Sequence, residues 1–271
     1  MRLATFNVNG IRAADRRGFR AWLDRADPDV VALQEVRASA DAVPPEAIEG
    51  WHFAYDPGQL AGRNGVALLS KEPPTEVRPG LRGDTEFGHE GRYIEADYDI
   101  DGRRFTMASL YLPKGAVGAD GEAEKAKYER KLRFCEVLSG HLGFALDRAA
   151  RTGTPYTITG DFNIARTPQD LYNNHSKKPL DGFQPEERDW LTGALELGLT
   201  DVVRALRPDG QGPYSWWSWR GQSWTRDYGW RIDYHLSTPD LAALAQTGDT
   251  DRPETYESRV SDHAPVVVEY R

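Results

Sequence analysis

The chain of 271 residues carries 34 Lys and Arg against 42 Asp and Glu, a formal net charge of −8, with a pI near 5.4. Its mean hydropathy of −0.65 and the lack of any apolar run near the ~18 residues of a membrane span exclude a transmembrane protein. The acidic balance argues against indiscriminate coating of nucleic acid but leaves room for a local basic face. A single cysteine, Cys135, excludes an internal disulfide or a cysteine-based zinc site and points to a reducing compartment.

The N-terminus reaches Asn7-Val8-Asn9-Gly10 too early for the apolar stretch of a secretion signal, so the cytoplasm is the expected location. Apolar runs bounded by Gly, Asn, Asp or Pro predict buried strands at Leu3–Phe6, Val30–Leu33, Val66–Leu69, Phe105–Leu110, Tyr156–Thr159 and Ala264–Val268. Helices fall between only some of them. One is predicted from Arg12 to Arg25, and a second from Glu122 to Arg151, where Tyr128, Leu132, Cys135, Leu138, Leu142, Ala145 and Ala149 recur at helical steps before Gly153. A third starts near Pro185-Glu186-Glu187 and carries Trp190, Leu191, Leu195 and Leu197. Consecutive strands without intervening helices predict mixed sheets with helices outside rather than a strictly alternating fold. With no repeat and no Pro/Ser-rich linker, a single domain over residues 1–271 is expected.

Polar residues cluster where apolar runs end, the usual place for a site in an α/β protein. The segments are Asn7-Val8-Asn9-Gly10, Gln34-Glu35, Tyr111-Leu112-Pro113-Lys114-Gly115, Gly160-Asp161-Phe162-Asn163, Arg231-Ile232-Asp233-Tyr234 and Ser261-Asp262-His263-Ala264-Pro265. Each alone is a common turn or solvated strand end. Together they place Glu35, Asp161, Asp233 and Asp262 beside buried runs, where converging carboxylates repel unless a cation joins them. Oxygen ligands without a Cys/His set suit magnesium, with manganese as a substitute.

The same motifs, in this order and over nearly the whole chain, resemble the exonuclease III family of abasic-site endonucleases within the endonuclease/exonuclease/phosphatase superfamily. The resemblance implies a four-layer α/β sandwich, two mixed β-sheets face to face with helices on the outside. It also implies hydrolysis of the phosphodiester 5′ to an abasic site in duplex DNA, with 3′-5′ exonuclease and 3′-phosphatase or phosphodiesterase activity, by a monomer. Carried over by motif, Glu35 resembles the principal metal ligand, with Asn9 and Asp262 close to the ion and Asn7 in the local hydrogen-bond network. Asp161 resembles the residue that activates water, and Asn163 a phosphate contact. His263, oriented by Asp233, and Tyr111 resemble the groups that meet the scissile phosphate.

The dense aromatics Tyr214-Ser215-Trp216-Trp217-Ser218-Trp219, followed by Trp224 and Trp230, read in part as core. The resemblance implies that Trp216, Trp217 and Ile232 line a pocket for a flipped baseless sugar. Arg166, His175-Ser176-Lys177-Lys178 and Arg220 are candidates for DNA phosphates. Two positions depart from the family pattern. Lys114 replaces a neutral residue and adds potential phosphate affinity, while Asp227 places a negative charge near a DNA-facing loop. Rival readings are another metal-dependent phosphodiesterase of the superfamily, acting on RNA or a small phosphoester, and a catalytically silent DNA-binding module. The latter is disfavoured because every position of the inferred metal and water-activating set carries competent chemistry.

Overall fold

The computed structural model describes residues 1–60, 62–115, 121–172 and 180–271. The first sheet is built from β1 (Arg2–Asn7), β2 (Val30–Gln34), β3 (His52–Asp56), β4 (Val66–Ser70), β11 (Ala245–Thr250) and β12 (Val266–Tyr270). Their order is β11-β12-β1-β2-β4-β3. The second is built from β5 (Glu76–Pro79), β6 (Tyr93–Ile100), β7 (Arg103–Tyr111), β8 (Tyr156–Asp161), β9 (Thr200–Asp201) and β10 (Asp233–Ser237), in the order β5-β6-β7-β8-β10-β9. Each sheet is mixed, with one parallel pair, β1 with β2 and β7 with β8.

The two-residue period of a strand divides these segments between two environments. Leu3, Val30, Ala32, Val66 and Leu68 meet Ile94, Phe105, Met107 and Val268 between the sheets. Their neighbours Ala4, Phe6, Val31, Leu33 and Leu69 face outward, under Phe19, Trp22 and Leu23. On the far side Ala108, Leu110, Tyr156, Ile158 and Leu236 pack beneath Phe134, Leu138, Leu142 and Leu191. The result is the expected four-layer sandwich. Its long helix α4 spans Glu122–Thr152 and stops at Gly153, whose φ of 64° takes the left-handed turn.

The helix expected over Arg12–Arg25 is two helices, α1 (Ile11–Arg16) and α2 (Phe19–Ala26). Gly18, at φ 95°, breaks the run and turns α2 so that Phe19, Trp22 and Leu23 cover the first sheet. The last predicted strand begins at Val266 rather than Ala264, because Ala264 donates its N–H to Ser215 O (2.8 Å). Cys135 is buried and unpaired. No helix among the described residues is long and apolar enough to cross a membrane.

Strand direction brings the polar ends together. The parallel pairs send Asn7 and Gln34, and Tyr111 and Asp161, to common edges, while antiparallel β10 starts there, with Asp233 opposite Asp161. Along β1 the inward side chains pass from Leu3 to Thr5 to Asn7, so the gap between the sheets turns polar toward this edge. Gln34 donates to Thr5 Oγ1 (3.0 Å) on the neighbouring strand and across that gap to Ser109 Oγ (2.9 Å). Gly160 lets β7 and β8 close up beside Asp161: at φ 137° a Cβ there would stand 2.0 Å from Leu110 O.

Candidate active site

Asn7 joins the sheets. Its buried amide Nδ2 donates to Glu35 Oε1 (2.8 Å) and to Asp161 Oδ2 (2.9 Å). Asp161 Oδ1 accepts from Asn163 N (2.8 Å), and Asn163 Nδ2 donates to Leu112 O (2.9 Å). Asn9, Glu35 and Asn163 all have positive φ, 47°, 52° and 49°. Left-handed backbone is costly for a glutamate, and its concentration at these strand ends marks a site that the surrounding fold holds in place.

His263 lies between two carboxylates, its Nδ1 2.8 Å from Asp233 Oδ2 and its Nε2 3.7 Å from Asp161 Oδ2. Asp233 Oδ2 also accepts from Ser215 Oγ (2.6 Å), which itself accepts from the backbone N–H of Asp233 (3.1 Å). Burial opposes the charged imidazole, but the Asp233 and Asp161 carboxylates outweigh it and push His263 up to about 10. Burial first, then the nearby Asp233 and Glu35 carboxylates, push Asp161 up to about 7. Tyr111 is held well above its ordinary value of 10.0 by burial and by Glu35 and Asp161, so its hydroxyl remains a donor.

Ligand atoms of Glu35, Asp161 and His263 lie within 4.8 Å of one another. The oxygens of Glu35 and Asp161, with Asn9 and Asp262 lining one cavity with them, are donors that fit a hard divalent cation. The expected Asn9, Glu35 and Asp262 line this same cavity. Asp262 accepts from Asn9 Nδ2 (2.7 Å) and Trp216 Nε1 (3.1 Å), so both of its oxygens are engaged. Despite burial, His263 and these two bonds hold its carboxyl below the usual range. Glu35 also pairs with Arg37 Nη2, a partner that the sequence motifs do not reveal.

These groups share a cavity of about 360 Å³ with Tyr111, Lys114, Asn163, Leu180, Trp216, Trp230 and Ile232. Trp216 and Trp230 meet edge to face, 6.3 Å apart. The Lys114 ammonium is 5.9 Å from the Trp216 ring.

Trp217 is a correction to the expected pocket. It is 1% exposed and packs with Tyr214 and Trp224, its Nε1 donating to Asp227 Oδ1 (2.9 Å). Backbone alternation turns Trp216 to the cavity and Trp217 away from it, and Trp230 supplies the second wall. The step of two from Trp230 to Ile232 carried that information in the sequence. Asp227 is paired with Arg252 at 3.3 Å, so its charge is locally compensated.

Of the remaining basic candidates, Arg166 and Arg220 do not line the cavity. Arg166 is half-buried, its N–H donating to Tyr234 Oη (3.2 Å). Arg220 is exposed on the turn after Trp219. Lys177 and Lys178, with His175 and Ser176, lie outside the described residues. A second depression of about 390 Å³, lined by Gly10, Arg12, Ala13, Arg16, Arg37 and Gly62, shares Arg37 with the cavity. The sequence alone does not single out this basic groove, because its arginines are separated along the chain.

Comparison with known proteins agrees with this architecture. Residues 4–263 match the Endonuclease/Exonuclease/phosphatase family. Exodeoxyribonuclease III of Haemophilus influenzae is 31% identical over 279 aligned positions covering all of both chains. An AP endonuclease structure from Archaeoglobus fulgidus superposes with a TM-score of 0.82 at 32% identity, over 100% of this chain and 99% of the other. The 3′-5′ exonuclease NExo of Neisseria meningitidis gives 0.83 at 29% identity, with the same coverage. The chain belongs to the endonuclease/exonuclease/phosphatase family, among the exonuclease III-like nucleases that its motif order implied.

Proposed function

We propose that the chain hydrolyses DNA phosphodiesters 5′ to abasic sites in duplexes and at 3′ ends, with magnesium as the cation and manganese as a substitute. The observation that carries this reading is that one cavity joins the hydrolytic groups to an apolar wall. Glu35, Asp161 and His263 line it together with Trp216, Trp230 and Ile232.

The residues divide the work of a phosphodiester hydrolysis between positioning and electrostatics. Asp161, fixed by Asn7 and Asn163 and titrating near neutrality, orients the attacking water and takes its proton. His263, held charged by Asp233, meets the developing charge on the phosphate, and Tyr111 donates its hydroxyl to the same group. Asn163 supplies a further phosphate contact. Glu35, with Asn9 and Asp262 near it, would hold a divalent cation, which when bound would supply electrostatic stabilisation of the phosphate and of the leaving 3′ oxygen. Lys114 and the groove of Arg12, Arg16 and Arg37 meet flanking phosphates. The single buried thiol suits the cytoplasm. The exposed large hydrophobics Leu60, Val77, Leu197, Tyr228 and Tyr256 lie on five separate segments, which suits a monomer.

The aromatic wall explains the choice of a baseless sugar. Extruding an intact base costs a few kcal/mol, whereas an abasic sugar has already lost stacking and pairing. Trp216→Ala removes apolar burial worth roughly 1–3 kcal/mol and admits bulkier nucleotides. Rates of abasic cleavage and of 3′ exonuclease on one duplex at fixed salt test this. Abasic cleavage should fall more, while equal losses accompanied by reduced thermal stability would make Trp216 a packing residue.

A further inference from the structure

Among the described residues three lysine or arginine side chains are buried: Lys131, Arg231 and Arg259. Lys131 is paired with Glu187, and Arg231 with Asp170 and Asp201. Arg259, 2% exposed, makes no ion pair among the described residues, and its Nε and Nη1 have no hydrogen-bond partner there. A buried guanidinium without a carboxylate is unfavourable, so its surroundings must compensate it.

Two features do so. The guanidinium lies over three aromatic rings, 4.1 Å from the Trp219 centroid, 4.7 Å from that of Trp224 and 5.5 Å from that of Tyr256, where ring quadrupoles attract a cation. Two further guanidinium groups meet the same rings. Arg17 lies 5.0 Å from Trp219, and Arg252 4.4 Å from Trp224. The remaining nitrogen, Nη2, donates to Trp217 O (2.6 Å) and to Asp262 O (3.2 Å).

Those two carbonyls belong to segments 45 residues apart in sequence that both line the cavity, through Trp216 and through Asp262 and His263. Residues 215–217 run beside 262–264: Trp217 N donates to Asp262 O (2.9 Å), Ala264 N donates to Ser215 O (2.8 Å), and Trp216 bridges His263. Arg259 closes the open end of this two-bond ladder. Without it, a single backbone bond, from Trp217 N, holds the Asp262 end in register.

We infer that Arg259 is a positioning residue of the nuclease site, locking the Trp216 wall of the cavity to the Asp262–His263 segment. Asp262 and His263 serve every phosphodiester the site cuts, whereas Trp216 meets only the sugar of an abasic substrate. The second half of the inference therefore rests on the proposed abasic reading. Slippage at this node displaces His263 and the cavity wall by a fraction of an ångström, while Asn163, Lys114 and the arginine groove, on other segments, stay in place. The loss should therefore appear in kcat rather than KM.

The test compares wild type, Arg259→Lys and Trp219→Leu with Val31→Ala, a core truncation remote from the cavity, as the control for stability. Lysine keeps the charge and can reach one carbonyl but lacks the planar stack. Trp219→Leu removes one of these rings at a less buried position and decides the matter if Arg259→Lys does not fold. Steady-state rates on an abasic duplex and on a recessed 3′ end are measured beside Tm. For Arg259→Lys we expect kcat on the abasic duplex to fall about tenfold or more with KM within about twofold. The ratio of abasic to exonuclease turnover should also fall. Trp219→Leu should change both in the same direction and by less, while Val31→Ala lowers Tm and leaves the ratio unchanged. If the Arg259 and Trp219 variants behave like Val31→Ala, the inference is wrong. If wild type cuts 3′ ends but not the abasic duplex, the abasic reading fails, and Arg259 is then judged on exonuclease kcat alone.

Discussion

Asp161 and His263 show how burial sets the chemistry of a side chain. Asp161 sits where water, His263 and two carboxylates compete for one proton, and its position near neutrality suits a base. Asp161→Asn keeps the shape but cannot take a proton, so turnover should drop by about 10²–10⁴ while DNA affinity in a gel shift stays within a few fold of wild type. Near-normal turnover would remove Asp161 from the mechanism. Glu35→Ala, by contrast, should raise the metal concentration needed for half-maximal activity.

His263, Asp233 and Ser215 form one hydrogen-bonded unit. His263→Ala should lower kcat more than Asp233→Asn, and the double variant should lose less than the sum of the two. Additive losses would separate the pair. The unit also has a signature in stability. The folded imidazole titrates near 10 against an ordinary 6.5, so its contribution is fully present below the lower value and is lost as pH rises toward the upper one. In EDTA, the Tm gap between wild type and His263→Gln should be widest near pH 6 and narrow by about pH 10.

At the scale of elements, the site depends on supports that lie behind it. Lys131 on α4 is fully buried and donates to Glu187 Oε1 (2.6 Å) on α5 (Pro185–Glu196) and to Asn163 O (2.8 Å). It thus ties two outer helices to the loop that carries a phosphate contact. Lys131→Met leaves Glu187 uncompensated and should cost about 3–5 kcal/mol, read by denaturant unfolding. A cost under about 1 kcal/mol would show that water or repacking replaces the tie.

Elements were legible where one period dominated. The runs at Val30–Leu33 and Val66–Leu69 are buried on both faces, and α4 repeats its apolar positions over 31 residues. Strands β5 and β11 are largely exposed and polar, and β9 has two residues, too few to show a pattern. The catalytic side chains stand out because chemistry-bearing residues end buried strands. Their supports do not. Ser215, Lys131 and Arg259 act through partners 18 to 56 residues away, which no local pattern encodes. Trp217 was misplaced because two adjacent tryptophans look equivalent until the backbone fixes which one faces the cavity.

On the scale of the molecule, a net charge of −8 is reconciled with DNA by location. Arg12, Arg16 and Arg37 line one groove that shares Arg37 with the cavity. Screening at physiological salt confines the acidic remainder to about 8 Å. Replacing Arg12 or Arg16 by Ala should weaken binding to all sequences alike and reduce the slope of log K against log salt by about 0.9 for each phosphate no longer neutralised. An unchanged slope would place the DNA on another face.

The central claim is that one cavity selects a baseless sugar and cuts beside it with a cation held by carboxylates. The most direct measurement uses a labelled duplex with a single abasic site, incubated with wild-type protein and resolved on a denaturing gel, with magnesium or with EDTA. The account predicts one metal-dependent nick immediately 5′ to the abasic residue, leaving a 3′-hydroxyl that a polymerase extends. The matched intact duplex should show no internal nick. Cleavage that persists in EDTA, or internal cutting of the intact duplex at the same rate, would contradict it.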